Sequence, residues 1–582
     1  MTAVGAPSTL GSGASRPGLP GRISPPWTRP RIMLLGGVAA VVVLFVVAWI
    51  EIGMGVVPLF TGIGNIVKFV GKTVPPQFSG FASFQHTMTL ALETVCMAVI
   101  GTAIAVVVSI PVGFLAARNT TPHPALRWLA RGIIIVCRSV PDLIFAIVFV
   151  EALGIGILPG VLALGFHSVG MLGKLFAEAI EQVPEPPREA LTSTGAGRLQ
   201  NLTTSVIPQV LPSFSSLSLY RLDINLRSSV VLGYVGAGGI GFALNAAMGE
   251  LLFKEAIAIV LVIFALIVIM EAVAAIVRRS LIGTDNPITG GYAGAPPRSI
   301  GDRLLSRIAP KKAPAGDQPT FDRATVRPPW TRERVQGRIF IFGGLLVLAL
   351  SFWDTGVDPI SIVTSFAKIG HTLAAYFPPN FESARSNLLT GTLQSAAVAL
   401  VATVAGVVFA IPIGLAAARN VSDRWIYRAA RTFLLIVRAV PELILAIIFV
   451  VAVGLGLVAG AFALMVGTVG FMSKLVADGV EEVPPGPREA VLSAGATRGQ
   501  ETVTSVVGPS VPLLVGNSLY LMDVNFRSST ILGLVGAGGI GYLLQQSVQV
   551  LAYRTTGAII VATFVVVLAI EIITNWVRRQ VI

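Results

Sequence analysis

The chain has 582 residues, of which 54% are hydrophobic and only 12% charged, and its mean hydropathy is +0.80. Soluble globular chains carry about a quarter charged residues, so this composition excludes that class and indicates an integral membrane protein. The net charge of +13 is not the footprint of a nucleic-acid binder. The basic residues flank apolar runs without any stacking or groove-reading motif, so the partner they indicate is the lipid bilayer and no nucleic acid is expected.

Residues 1–31, rich in Gly, Ser, Pro and Arg, read as a disordered cytoplasmic tail. The first apolar run follows the tail and is long enough to span, so no cleavable signal peptide is expected. Spans are predicted at 32–53, 87–117, 131–153, 157–180, 213–235 and 252–277 in a first module covering 32–277. A basic, Pro- and Gly-rich linker at 278–337 contains Arg278, Arg279, Lys311, Lys312, Arg332 and Arg334. A second module, 338–582, predicts spans at 338–353, 387–418, 431–454, 457–480, 513–535 and 557–578.

Orientation follows from the arginines. Arg16, Arg22, Arg29, Arg31, Arg118, Arg127, Arg131, Arg188, Arg198, Arg578 and Arg579 fall on one side of six alternating spans per module. The other side carries chiefly Lys68, Lys72, Lys368 and Arg385, so the tail, the linker and both termini are expected in the cytoplasm. An even count of spans per module makes the halves parallel repeats. The expected fold is an all-α membrane protein of about twelve transmembrane helices in two parallel six-helix repeats. Cys96 and Cys137 are the two cysteines and both lie in apolar runs; with the histidines at no ligand spacing, neither a disulfide framework nor a metal site is expected.

The repeat is closest in its polar stretches. Residues 183–196 read Val-Pro-Glu-Pro-Pro-Arg-Glu-Ala-Leu-Thr-Ser-Thr-Gly-Ala, and 483–496 repeat them with Arg488, Glu489, Ala490 and Gly495 matching Arg188, Glu189, Ala190 and Gly195. Pro187 and Pro487 suit a first helical turn, the glutamates favour its positive end, and the glycines allow a tight exit. An ordinary amphipathic connector is the plainer reading of one copy; two copies suggest one surface shown to two copies of one partner. The pattern resembles the Glu-Ala-Ala loop of ABC-importer permeases, which carries the helix that seats in the cytoplasmic ATPase.

A second stretch narrows the resemblance. Residues 225–241 and 525–541 differ only at Leu226, Val230, Val231 and Tyr234. With Arg138-Ser-Val-Pro-Asp142 against Arg438-Ala-Val-Pro-Glu442, and Gly173-Lys174-Leu175 against Ser473-Lys474-Leu475, the chain resembles the phosphonate/phosphate (PhnE-like) branch of that family over 85–280 and 386–580. It departs from the usual pattern by fusing two permease modules in one chain.

The resemblance implies the permease subunit of an ATP-driven importer for phosphonate, phosphate or a related oxyanion, in the bacterial plasma (inner) membrane. It implies two copies of a cytoplasmic ABC ATPase on the paired loops and one extracytoplasmic substrate-binding protein. No cofactor is expected on this chain; ATP and Mg belong to the ATPase. Gly-x-x-x-x-Gly-Lys-Ser/Thr does not occur, so the chain is not expected to be an enzyme and hydrolysis is supplied by a separate subunit. The competing class is a secondary transporter with six-plus-six repeats, which the paired loops argue against. Import of methionine or quaternary amines is the rival within the ABC class, and a channel would not need two docking loops.

Gly236, Gly238 and Gly241, repeated as Gly536, Gly538 and Gly541, satisfy Gly-x-Gly-x-x-Gly. An apolar span rather than a strand precedes them and no acidic residue follows at the right distance, so they predict a tight extracytoplasmic turn rather than a dinucleotide site. Charges within spans are expensive and mark a pathway by default. Arg138, Arg227, Ser228, Arg438, Arg527 and Ser528 are therefore candidates for the substrate path, with symmetry-related arginines facing one another. The alternative is that each arginine is neutralised by the carboxylate four positions away, Asp142, Asp223, Glu442 or Asp523. His167, whose counterpart is Gly467, reads as a packed helix contact. Lys174 and Lys474 read as snorkelling residues paired with Glu178 and Asp478.

Overall fold

The computed structural model describes residues 29–55, 73–282 and 332–581 apart from 383 and 384, with isolated positions between 64 and 71. Most of the expected tail and linker lies outside the described residues. Every regular element among the described residues is helical. The chain divides into two units, Met1–Val47 and Ala48–Ile582. Of the first unit the structure describes the opening of α1 (Arg29–Ile52), where Val38, Val42, Val43 and Leu44 are all exposed. Apolar exposure around the whole circumference is the signature of a lipid-facing helix.

The second unit holds both modules. The first contains α2 (Phe84–Ala116), α3 (Pro124–Ser139), α4 (Asp142–Leu153), α5 (Ile157–Glu181), α6 (Pro186–Ser193), α7 (Ile207–Leu232), α8 (Ile240–Gly249) and α9 (Phe253–Ile282). The other opens with α10 (Arg332–Thr355) and α11 (Pro359–Ala375), followed by α12 (Arg385–Ala416), α13 (Arg424–Ala439) and α14 (Glu442–Val453). It closes with α15 (Leu457–Glu481), α16 (Pro485–Ser493), α17 (Gly508–Leu532), α18 (Gly539–Gln549) and α19 (Tyr553–Val581). Both α9 and α10 run into the expected linker, which narrows it from either end.

By length and composition seven helices suffice to cross a membrane, four bent pairs do so together, and Gly36–Ile52 is a shorter apolar helix. Among the described residues this makes up to eleven spans against the about twelve expected from the sequence, with two revisions. The predicted spans 131–153 and 431–454 are not single helices: α3 and α4 meet at 87°, as do α13 and α14. Pro141 and Pro441 break the chain rather than perturb it, because a proline forces its predecessor out of the helical region, and Val140 and Val440 are accordingly extended. The predicted span 338–353 is likewise the first arm of a pair bent by 60°, continued by Ile360–Ala375.

Small residues set the close packing of α2 on α5. A Cβ on Gly101 would lie 2.9 Å from Leu164 Cβ, and one on Gly113 equally close to Phe176 Cβ, the spacing that lets helices associate without a hydrophobic drive in lipid. The modules also interlace. Leu143, Ile144 and Ile147 of α4 share a buried cluster with Leu534, Ile540, Leu544 and Ile559 of the second module. Reciprocally, Leu443, Ile444 and Ile447 of α14 are buried with Ile240, Leu244, Ile259 and Ile263 of the first. Asn65 Nδ2 donates to Ala452 O at 2.8 Å, and Tyr376 Oη is hydrogen-bonded to the Glu151 carboxylate.

Candidate functional site

The repeated polar loops form short helices as expected, and most of their residues are exposed, with Arg188 and Arg488 half-buried. α6 begins with Pro186 and Pro187, carries Glu189 in its first turn and buries no residue. Glu189, Ala190, Glu489 and Ala490 are exposed. Gly195 and Gly495 leave these helices at φ +84° and +87°, a conformation that disfavours any side chain, although a Cβ there would meet nothing within 4 Å.

What holds each loop is a knot of residues from two other helices and the connection between two spans. Arg188 Nη2 donates to Asn119 O at 2.8 Å, and Asn119 Nδ2 to Ile180 O at 2.7 Å. Arg131 Nη2 and the Arg118 amide both reach Glu181 Oε1, at 3.1 and 2.9 Å. The ends of α2, α3 and α5 are thus tied to α6. In the second module Arg488 Nη2 donates to Asn420 O at 2.9 Å, while Arg431 meets Glu481 at 3.0 Å and Asp478 at 3.3 Å.

Besides the added Arg431–Asp478 pair, the two knots differ around the loop arginine. Arg488 Nε is paired with the Glu501 carboxylate, which is 2% exposed. The first module has Asn201 there; its amide donates to Arg188 O at 3.1 Å, while Arg188 Nε is left without a partner. Lys174 pairs with Glu178 at 3.7 Å as expected.

The intramembrane arginines lie at the seam between modules. Arg227 pairs with Asp223 at 3.0 Å and Arg527 pairs with Asp523, both along one helix. The corresponding expectation fails for Arg138 and Arg438. The break at Pro141 separates Arg138 from Asp142, and Arg138 is paired instead with Glu571 on α19 of the other module. Glu271 on α9 stands in electrostatic range of Arg438.

Nor do symmetry-related arginines meet as expected. Arg527 Nη1 donates to Arg138 O at 3.2 Å, and Arg438 neighbours Arg227, so each cluster mixes one arginine of each kind. Ser528 is buried beside Glu442, which has Asp142 in electrostatic range; Ser228 is half-buried at the matching place. Two carboxylates therefore stand among the cations at the seam. His167 is buried with Nδ1 3.2 Å from Val140 O, the packed contact predicted.

The glycine motif is close-packed, and the candidate span of the second module ends within it, at Ala537. The chain bends by 55° between α7 and α8 and reverses only at 250–252, before α9. Gly236 and Gly238 have φ +99° and +79°, and a Cβ on Gly241 would stand 1.9 Å from Val230 O, with Gly541 equally hemmed by Thr530 O at 2.0 Å. The tight backbone predicted at these glycines is thus present, forced by a second pass of backbone too near for any side chain.

Sequence reasoning missed Glu271, Glu571, Asn119, Asn420, Glu181, Glu481 and Arg221. Aligning the repeats signals most of them, since each polar pair recurs in register. Among the described residues no group of His, Cys, Asp and Glu could hold a metal ion.

Residues 109–283 and 410–582 match the family described as "Binding-protein-dependent transport system inner membrane component". The chain is 46% identical over 528 residues to the "Phosphate-import permease protein PhnE" of Mycolicibacterium smegmatis, covering 90% of each chain. It is 46% identical over 246 residues to the "Phosphite transport system permease protein PtxC" of Stutzerimonas stutzeri, covering 42% of this chain and 88% of the relative. Among solved structures, an inward facing conformation of the MetNI methionine ABC transporter is 26% identical with a TM-score of 0.32, covering 34% of this chain and 99% of that one.

Proposed function

Since the chain belongs to the family of binding-protein-dependent transport system inner membrane components, we propose that it is the fused permease of an ATP-driven importer for phosphate, phosphonate or a related oxyanion. The observation that carries this reading is identity to a phosphate-import permease over nine-tenths of both chains. Likeness to phosphite and phosphate permeases favours an oxyanion over methionine or quaternary amines. The two exposed helices α6 and α16 favour ATPase drive over an ion gradient.

In this reading one ATPase docks on α6 and an identical one on α16, each holding ATP and Mg, and an extracytoplasmic binding protein delivers the anion. Arg188 and Arg488 pass a displacement of these helices into the ends of the neighbouring spans through Asn119 and Asn420. The loops, the linker and both termini face the cytoplasm of an inner-membrane, multi-pass protein, following the arginine asymmetry.

The test is uptake of radiolabelled phosphate into vesicles containing the chain, its ATPase and its binding protein. Uptake should require ATP and the ATPase and ignore a protonophore. Uptake that persists without the ATPase and collapses with the protonophore would replace this reading with the secondary transporter.

A further inference from the structure

Arg221 lies in the middle of α7, 4% exposed, where the second module has Leu521. Its Nε donates to Ser168 Oγ at 2.7 Å, and its Nη2 has no partner. Three other arginines at the seam are held in ion pairs, Arg138 by Glu571, Arg227 by Asp223 and Arg527 by Asp523, while Arg438 has Glu271 in electrostatic range. Arg221 has none in ion-pair contact. Asp142 stands in electrostatic range without bonding to it, as do Arg527 and the hydroxyls of Tyr220 and Tyr520. An unpaired guanidinium at membrane depth is among the most expensive groups a span can carry.

Packing does not explain it. Ser168 Oγ donates to Asn225 Oδ1 at 3.0 Å and Asn225 Nδ2 to Thr102 Oγ1 at 2.8 Å. The second module builds the matching network from Asn525, Thr403 and Thr468, at 2.8 and 2.9 Å, with Leu521 beside it. The same polar core therefore closes without an arginine.

Resting on the oxyanion-importer reading, we propose that Arg221 is the anion-binding contact of the translocation path, a single station offered by one module. A phosphate or phosphonate oxygen accepts from Arg221 Nη2, and a second oxygen accepts from Arg527 Nε of the other module, which is also without a partner. A tetrahedral oxyanion suits two donors arriving from different helices, and a guanidinium offers a planar edge for it. Asp142 and Glu442 nearby hold the attraction down, so that the anion leaves again. Fusing the modules permits this asymmetry. A symmetric pair of identical modules would carry two such arginines or none.

The experiment uses the full chain with its ATPase and binding protein in vesicles and reads radiolabelled phosphate taken up per ATP hydrolysed. Arg221→Leu copies the second module, so the complex should assemble, and the ratio should fall on the order of tenfold. Arg221→Lys keeps the charge without the planar fork and should recover part of it. An unchanged ratio in Arg221→Leu overturns the proposal, and so does loss of assembly, which would make Arg221 a fold-holding residue. If the unaltered chain imports neither phosphate nor phosphonate, the importer reading itself fails and takes this one with it.

Discussion

Replacing Glu501 with alanine removes the carboxylate that holds Arg488 in the second coupling knot and has no counterpart in the first. Glu501 and Arg488 have side chains 3% and 19% exposed. Breaking a fully buried pair costs about 3–5 kcal/mol, and the partial exposure of Arg488 lowers this to about 2–3 kcal/mol. At tenfold per 1.4 kcal/mol, local opening of residues 485–507 should become roughly thirty- to a hundredfold more frequent. Amide hydrogen exchange read by mass spectrometry reports that opening peptide by peptide. The loop at 186–206 serves as an internal reference in the same sample, since it carries Asn201 instead of a carboxylate. Glu501→Asn recreates that arrangement and should fall between alanine and the unaltered chain. Exchange at 485–507 unchanged within twofold in Glu501→Ala would refute the reasoning, as would equal acceleration of both loops.

Gly195→Ala meets no obstructing atom and bears only the strain of φ +84°, about 1–2 kcal/mol, so most binding-protein-stimulated ATP hydrolysis should survive. Gly195→Pro can neither adopt that φ nor keep the amide bond to Thr192 O at 3.0 Å, and stimulated hydrolysis should vanish; full stimulation would remove α6 from the coupling path. Glu571→Ala strands Arg138 at the seam and should destabilise the folded protein by about 3–5 kcal/mol, seen as a lower thermal midpoint in detergent. Arg138→Met combined with Glu571→Leu should recover most of that loss, and a double variant as unstable as the two losses added would show that the pair is not a unit.

The span pattern and the two exposed loops were legible because both are local: apolar runs long enough to cross, and prolines and glycines that start and stop a helix. The internal repeat acted as a second sequence, which is why Arg188 and Arg488 stand in the same geometry. Partners contributed from afar were not legible. Arg138 has Asp142 four positions on, yet the break at Pro141 separates them and Glu571 takes that place from the far end of the chain. The backbone at the glycine motif is tight because Val230 and Thr530 press on it, a contact that composition alone does not show. Arg221 was hidden in a serine-rich helix, and only its mismatch with Leu521 sets it apart.

The exchange of α4 and α14 between modules bears on how the protein is made. Synthesis proceeds from the N-terminus, and when the ribosome reaches the linker α4 has been inserted but Leu534, Ile540 and Leu544, against which it is buried, have not. The early module waits in the bilayer with an acidic helix start, Asp142, and a long apolar flank covered only by lipid. It acquires its final neighbours when 530–560 emerge, so the nascent chain is committed to completion before either half is a finished structure.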